Sequence, residues 1–278
     1  MDITAPVNPP KQGRKKKRGG FFLRLLGFVF AACMILSIAV AGAVAFVLWK
    51  VSQELPDYEK LARYEPPVMT RIHANDGRLI AEYSRQRRIY VPITAVPKRV
   101  IDAYLSAEDK NFYQHGGLDM QGIVRAVVKN LSGGGGKQGA STITQQVAKN
   151  FLLTSDRNIE RKLKEAILAI RIERAFTKDQ ILELYLNEIY LGGGAYGVAA
   201  AAQRYWDKAL NELTLEEAAY LAVLPKAPSR YDPIRHRERA TERRNWVLDR
   251  MVENGYASPE EGEAAKAKPL TVLAKRFG

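Results

Sequence analysis

Phe28 to Leu48 reads FVFAACMILSIAVAGAVAFVL, 21 residues without a charge. A helix of roughly 20 apolar residues crosses the hydrocarbon of a bilayer, so this stretch predicts one membrane-spanning helix. Lys11, Arg14, Lys15, Lys16, Lys17, Arg18 and Arg24 precede it. Basic residues stay on the cytoplasmic side, which puts everything after about residue 50 outside the inner membrane. Trp49 suits the interface. A cleaved signal has an apolar region of only about 7–15 residues, so an uncleaved anchor is expected even with the small residues around Ala39–Ala45. Beside such a helix, the basic run reads as attraction to anionic lipid and gives no reason to expect nucleic acid.

The charge distribution supports that division. The 278 residues carry a formal net charge of +13. Residues 1–50 hold eight Lys/Arg and one acid, a net of +7, and the remainder holds 35 bases and 29 acids, a net of +6. Half the excess is therefore concentrated in a short N-terminal segment. With 46% hydrophobic residues, the remainder can bury a sizeable core. Cys33 is the one cysteine, which excludes an internal disulfide and a cysteine zinc site. His73, His115 and His236 form no HxxxH or HExxH spacing, so a metal cage of His or Cys is not expected.

Five segments follow: a basic tail (1–24), the membrane helix (25–49), a linker with a β-hairpin (50–96), a helical domain (97–255) and the start of a further linker (256–278). Alternating stretches flank Asn75-Asp76-Gly77, a strong hairpin signal. RRIYVPI at 87–93 is expected to add a third strand to that hairpin. From Pro97 the period is helical. Val100, Ile101, Tyr104 and Leu105 mark one helix, and Ile123, Val124, Val127, Val128 and Leu131 mark a second. SGGGGKQGAS at 132–141 resembles a phosphate loop, but Lys137 is followed by Gln138 where Ser or Thr is required; a mobile loop is expected instead. Thr142 and Gln145 form a capping-box pattern for a helix to about 152. Further helices are expected at 159–175, 181–190, 199–205, 215–224 and 238–252, with no internal repeat.

Four clusters carry candidate chemistry. SAEDKNFYQHGG at 106–117 places Glu108 and Asp109 at a helix end, one turn after Tyr104 and Leu105, with Phe112 and His115 beyond. An apolar wall raises a carboxylate's proton affinity, which a general base needs. A solvated helix end, a core phenylalanine and a structural histidine are the plainer alternatives. GASTITQQVAKNFLL at 139–153 puts Thr142, Gln145, Gln146 and Lys149 on or near one helix face. Adjacent glutamines there call for a hydrogen-bonding partner. In RNIERKLKEAILAIRIER at 157–174, Arg157, Arg161, Lys162 and Lys164 crowd around Glu165. Arg161–Glu165 is either a surface ion pair or part of a phosphate-binding cleft. ILELYLNEIYLGGG at 181–194 lines up Glu183, Asn187 and Tyr190.

In this order the clusters resemble the peptidoglycan glycosyltransferase domain, glycosyltransferase family 51, of class A penicillin-binding proteins and monofunctional transglycosylases. The carriers are E-D-x-x-F-x-x-H-x-G from Glu108 to Gly117, G-x-S-T-I-T-Q-Q from Gly139 to Gln146 with Lys149 beyond, and R-K-x-x-E through Arg161, Lys162 and Glu165. I-L-E-x-Y-L-N-x-I-Y-x-G from Ile181 to Gly192 and LTLEEAAYLAVLPKAPSRYDP at 213–233 complete the set. The resemblance covers roughly residues 55–255. The hairpin resembles the class A proteins, yet the S-x-x-K and K-T-G motifs of their second domain do not occur, so the chain is expected to be a truncated piece of a bifunctional protein, with a freestanding transglycosylase as the alternative.

The resemblance implies a mainly α fold: a lysozyme-like, two-lobed helical domain with an N-terminal transmembrane helix and a small β-hairpin. It implies lipid II as acceptor and a lipid-linked glycan strand as donor, with cell-wall synthesis proteins as further partners. Glu108 would be the base that deprotonates the acceptor hydroxyl. Glu165 would help position the donor pyrophosphate, and Lys149, Arg157, Arg161 and Lys162 would neutralise it. Asp109, Phe112, His115, Ser141, Thr142, Gln145, Gln146, Asn187 and Tyr190 would complete the substrate site. No tightly bound cofactor is implied; a divalent cation, Mg or Mn, at the pyrophosphate is the one addition allowed. A lysozyme-like hydrolase or lytic transglycosylase also uses a cleft carboxylate, but has no pyrophosphate for the basic cluster to hold. A non-catalytic, membrane-anchored scaffold would not need both glutamates.

Overall fold

The computed structural model describes residues 19–63, 70–76, 79–83, 87–132, 141–153 and 159–273. The glycine-rich loop expected at 132–141 lies outside the described residues except at its two ends. The chain divides into two compact units after Gln53.

The first unit is the helix α1, Gly19–Gln53. Its portion Arg24–Gln53 is 30 residues long with a mean hydropathy of 2.6, long and apolar enough to span a membrane. Phe28 and Phe30 are exposed, at 73% and 69%. Exposed aromatic and aliphatic side chains all along a helix are stable in lipid and not in water.

The second unit begins at Glu54 and is mainly α. It holds α2 (Lys98–Glu108), α3 (Met120–Leu131), α4 (Ile143–Leu152), α5 (Ile159–Ala175), α6 (Lys178–Glu188), α7 (Val198–Trp206), α8 (Leu215–Leu221), α9 (Arg237–Glu253) and α10 (Pro259–Ala267). Strands β1 (Thr70–His73) and β2 (Leu79–Tyr83) form the expected antiparallel hairpin. The third strand does not join it. Strand β3 is only Arg87–Arg88 and pairs in parallel with β4, Ala195–Tyr196, across the fold. Pro92, which lacks an N–H for a ladder, lies just beyond.

Helix starts follow their caps. Thr142, Thr177 and Ser258 each close a capping box, with Gln145, Gln180 and Glu261 bonding back to the cap. The core gathers Tyr104, Phe112, Ile143, Leu168, Ile172, Ile181, Leu182, Leu186 and Tyr220, all fully buried. Helix α4 packs against α5 and α6, while α2 packs against α8 and α9. The C-terminal end of α2 holds Glu108 with Asp109 just after it, and α5, packed on α4, holds Glu165.

One expectation of periodicity fails. In α3 the apolar stripe is present but faces outward: Met120, Val124 and Leu131 are 63%, 60% and 82% exposed, and Ala126 alone is buried. Beyond residue 255, α10 packs on α9, and the fully buried Arg244 of α9 donates to the carbonyls of Lys266 and Lys268 at 3.0 and 2.8 Å. The helical body thus continues past the boundary expected at 255.

Candidate active site

Helix α2 is amphipathic, and Tyr104 and Glu108 stand one turn apart on its inner face. Tyr104 is wholly buried and Glu108 half-buried at the last residue of the helix. Gln146 Nε2, on the buried first turns of α4, donates to Glu108 Oε2 at 2.7 Å. Burial raises the Glu108 carboxyl above its ordinary value; the Gln146 hydrogen bond and the charges of Arg243, Lys226 and Lys149 pull the other way. The result is a carboxylate with raised basicity that cations still keep ionisable, as a general base requires.

Asp109 caps the junction between α2 and α4. Its Oδ2 accepts from the Ile143 backbone N–H at 3.0 Å, at the first turn of α4. His115 Nε2 lies 3.0 Å from the same carboxylate, and His115 Nδ1 accepts from Gly117 N–H at 3.2 Å. These contacts assign the proton to Nε2. Thr142 Oγ1 donates to the Gly117 carbonyl at 2.6 Å, and Gln145 Oε1 accepts from Thr142 N–H at 2.9 Å. Gly117 has φ +96°, and a Cβ there would meet the Ala169 backbone at 2.8 Å, so glycine is required where the turn crosses α5. Phe112 is fully buried, with the Lys178 ammonium 4.4 Å from its ring centroid. Asp109, Phe112, His115, Thr142 and Gln145 are thus spent on internal contacts that set the α2–α4 turn. These internal contacts give the five a positioning role at the junction between α2 and α4.

The second acid is enclosed more deeply. Glu165 in α5 is 1% exposed; Arg161 Nε lies 3.1 Å from Oε1 and Lys162 Nζ 2.5 Å from Oε2. Lys162 also donates to Ser141 Oγ at 2.8 Å. Arg161 and Glu165 are therefore no mere surface pair. Lys149 of α4 is half-buried; burial lowers its pKa, and it feels the charges of Glu165, Arg161, Lys162 and Glu108. Lys149 thus links the two acids electrostatically. Arg157 lies outside the described residues.

Asn187 and Tyr190 stand apart. Asn187 Oδ1 accepts from Val91 N–H at 2.8 Å, and its Nδ2 donates to Val91 O at 2.8 Å. Glu183 accepts from Ile93 N–H at 2.7 Å and from the Tyr90 hydroxyl. The pair clasps residues 90–93 along α6, so the buried Asn187 amide ties that segment to the helix. Tyr190 is 41% exposed and stacks on Tyr196 at 4.9 Å between centroids.

Two cations were not singled out from the sequence. Lys226, within the fifth motif, and Arg243, on α9, both lower the Glu108 proton affinity electrostatically. The Arg243 guanidinium lies 3.5 Å from the Trp246 ring centroid, which holds it on α9. In the sequence Arg243 sits in RERATERRNW, indistinguishable from a solvated helix face. Among the described residues no three His, Cys, Asp or Glu stand together, and both Glu165 oxygens face cations.

The family profile described as transglycosylase matches residues 76–252. Penicillin-binding protein 1A from Rickettsia felis is 50% identical over 254 residues, covering 90% of this chain and 32% of that protein. The Aquifex aeolicus penicillin-binding protein 1A is 52% identical over 241 residues, covering 86% and 33% respectively. The crystal structure of penicillin-binding protein 1A from Haemophilus influenzae is 34% identical with a TM-score of 0.44, covering 77% of this chain and 22% of that one. The chain spans about a third of the length of the curated relatives it matches.

Proposed function

The chain belongs to the transglycosylase family, and from that premise we propose that it polymerises lipid II into peptidoglycan glycan strands at the outer face of the inner membrane. One observation carries the reading: a carboxylate of raised basicity, Glu108, is linked through Lys149 to a buried acid flanked by cations, Glu165 with Arg161 and Lys162. A base and an anion-binding cluster in one site are the two needs of glycosyl transfer with a pyrophosphate leaving group.

In the proposed reaction Glu108 takes the proton of the acceptor 4-hydroxyl. That oxygen bonds to the anomeric carbon of the donor while the bond from that carbon to the lipid pyrophosphate breaks, with inversion. The departing anion gains negative charge, which Lys149, Arg161 and Lys162 stabilise. Glu165 holds Arg161 and Lys162 in place, and Lys226 and Arg243 keep Glu108 ionised before the transfer. The exposed apolar stripe of α3 and the apolar α1 are each suited to lipid, as a lipid-linked substrate requires. The N-terminus is cytoplasmic by the basic residues that precede α1.

The test is to supply labelled lipid II to the detergent-solubilised protein and resolve products on a gel. A ladder of glycan is expected, lost in Glu108→Gln by about 10²–10⁴-fold in rate, the usual contribution of a general base. Cleavage of preformed glycan without polymer would instead establish a hydrolase.

A further inference from the structure

Lys178 is the first residue of α6. A cation at a helix start opposes the helix dipole, so its presence there is explained by what the side chain reaches. The ammonium donates to the His115 carbonyl at 2.7 Å and to Glu173 Oε1 at 2.7 Å. Glu173, on α5, accepts at the same oxygen from Thr144 Oγ1 of α4 at 2.6 Å. Thr144 follows Ile143, whose N–H is held by Asp109, and Asp109 is held in turn by His115. The contacts close a ring that runs from Lys178 through His115, Asp109, the Ile143–Thr144 peptide and Glu173 back to Lys178. It is enclosed: side-chain exposure is 20% for Lys178, 8% for Glu173, 8% for His115 and 2% for Asp109. Charge-assisted hydrogen bonds are stronger in such surroundings than in water.

The hydrogen bond to the base is flanked by this ring on both sides. Glu108 immediately precedes Asp109, and Gln146, two residues past Thr144, donates to Glu108 Oε2 at 2.7 Å. We propose that Lys178 and Glu173 are positioning residues for the base: by closing the ring they hold the start of α4 against the end of α2, and so hold the Gln146 amide on the Glu108 carboxylate. The charged and titratable groups that face Glu108 are Lys149 from α4, Lys226 from the turn after α8, Arg243 from α9, Tyr104 from α2 and Tyr185 from α6. None of them belongs to the ring, so opening the ring leaves them all in the chain. The inference rests on Glu108 being the base of the proposed reaction, but its test needs no substrate.

The experiment is ¹³C NMR of the full chain in detergent with labelled glutamate side chains, the Glu108 signal assigned by its loss in Glu108→Gln. Gln146 lowers the Glu108 proton affinity through its hydrogen bond, so Gln146→Ala sets the scale, a rise in the Glu108 midpoint of about one pH unit. Thr144→Val opens the ring without changing a charge and is expected to raise the midpoint by about half a unit or more. Glu173→Met is expected to raise it too, whereas charge acting through space would lower it, because a negative neighbour has been removed. Lys178→Met should shift it in the same direction as Thr144→Val. Lys266→Met removes a lysine paired with Asp249 and Glu263 and is expected to leave the midpoint in place. An unmoved midpoint in Thr144→Val overturns the proposal, as does a fall in Glu173→Met or an equal rise in Lys266→Met. Should Lys178→Met or Glu173→Met fail to fold, the uncharged Thr144→Val decides alone. If the midpoints rise as expected and the wild-type protein makes no polymer from lipid II, the proposed reaction fails while the positioning role stands.

Discussion

Asp109→Ala is the substitution through which the link between fold and site is best measured. The Asp109 carboxylate is buried and receives two charge-assisted contacts at 3.0 Å, one from the Ile143 N–H and one from His115 Nε2. A hydrogen bond to a charged group contributes about 1.5–3 kcal/mol, so losing both costs about 3 kcal/mol at the lower bound. The Ile143 N–H is also left without an acceptor at the start of α4, where negative charge favours the helix dipole. For a unit of the size of Glu54–Gly278, each kcal/mol lowers Tm by about 2–4 °C, which gives a fall of about 6–12 °C. Asp109→Asn keeps an acceptor oxygen near the same place and is expected to lose about 1 kcal/mol, or about 2–4 °C. The assay is thermal unfolding in detergent followed by circular dichroism. Polymerisation should fall in parallel, because the same turn sets Gln146 against Glu108. An Asp109→Ala protein melting within about 2 °C of wild type would show that this carboxylate does not tie α2 to α4, and the positioning argument for His115 and Thr142 would fall with it.

The raised proton affinity of Glu108 has a defined sign for stability. The folded carboxyl binds its proton more tightly than the unfolded one, so stability falls as pH rises from the ordinary value of 4.5 through the raised folded value. Glu108→Gln should therefore melt higher than wild type at neutral pH and level with it in acid; no gain at neutral pH refutes the shift. The acid limb of kcat/KM should lie above 4.5 for the same reason. Arg161→Ala and Lys162→Ala should each weaken binding of a pyrophosphate-bearing inhibitor by about tenfold or more, measured by calorimetry, and unchanged affinity would reduce both to structural partners of Glu165. Arg244→Met should release α10 from α9, detected as faster proteolysis within 259–273 with the catalytic helices still folded; equal resistance would show that the Lys266 and Lys268 carbonyls find other donors.

Local rules were legible wherever they were self-contained. The Asn75-Asp76-Gly77 hairpin, the Thr142–Gln145 capping box and the span of α5 all appear as expected, because turn chemistry and short-range periodicity need no distant partner. The adjacent glutamines likewise prove to be bonded, one to the cap and one to Glu108. The third strand was misplaced because its partner, β4, lies over 100 positions away and comprises two residues. The stripe on α3 shows the matching limit: periodicity reports that a face is apolar, not what covers it.

By itself, the sequence determined the long apolar helix, the helical class of the domain and the motifs in which the two glutamates stand, since length, period and motif spacing are properties of the chain alone. Only the tertiary structure decided what each polar residue is used for. Asp109, Thr142, Gln145 and Asn187 sit in the first, second and fourth motifs, yet each makes its hydrogen bonds inside the fold. Arg243 and Lys226, which the sequence did not single out, are brought to Glu108 by packing of distant segments. A side chain's chemistry depends on burial and on which charges approach it, and those are set by contacts between residues far apart in the chain.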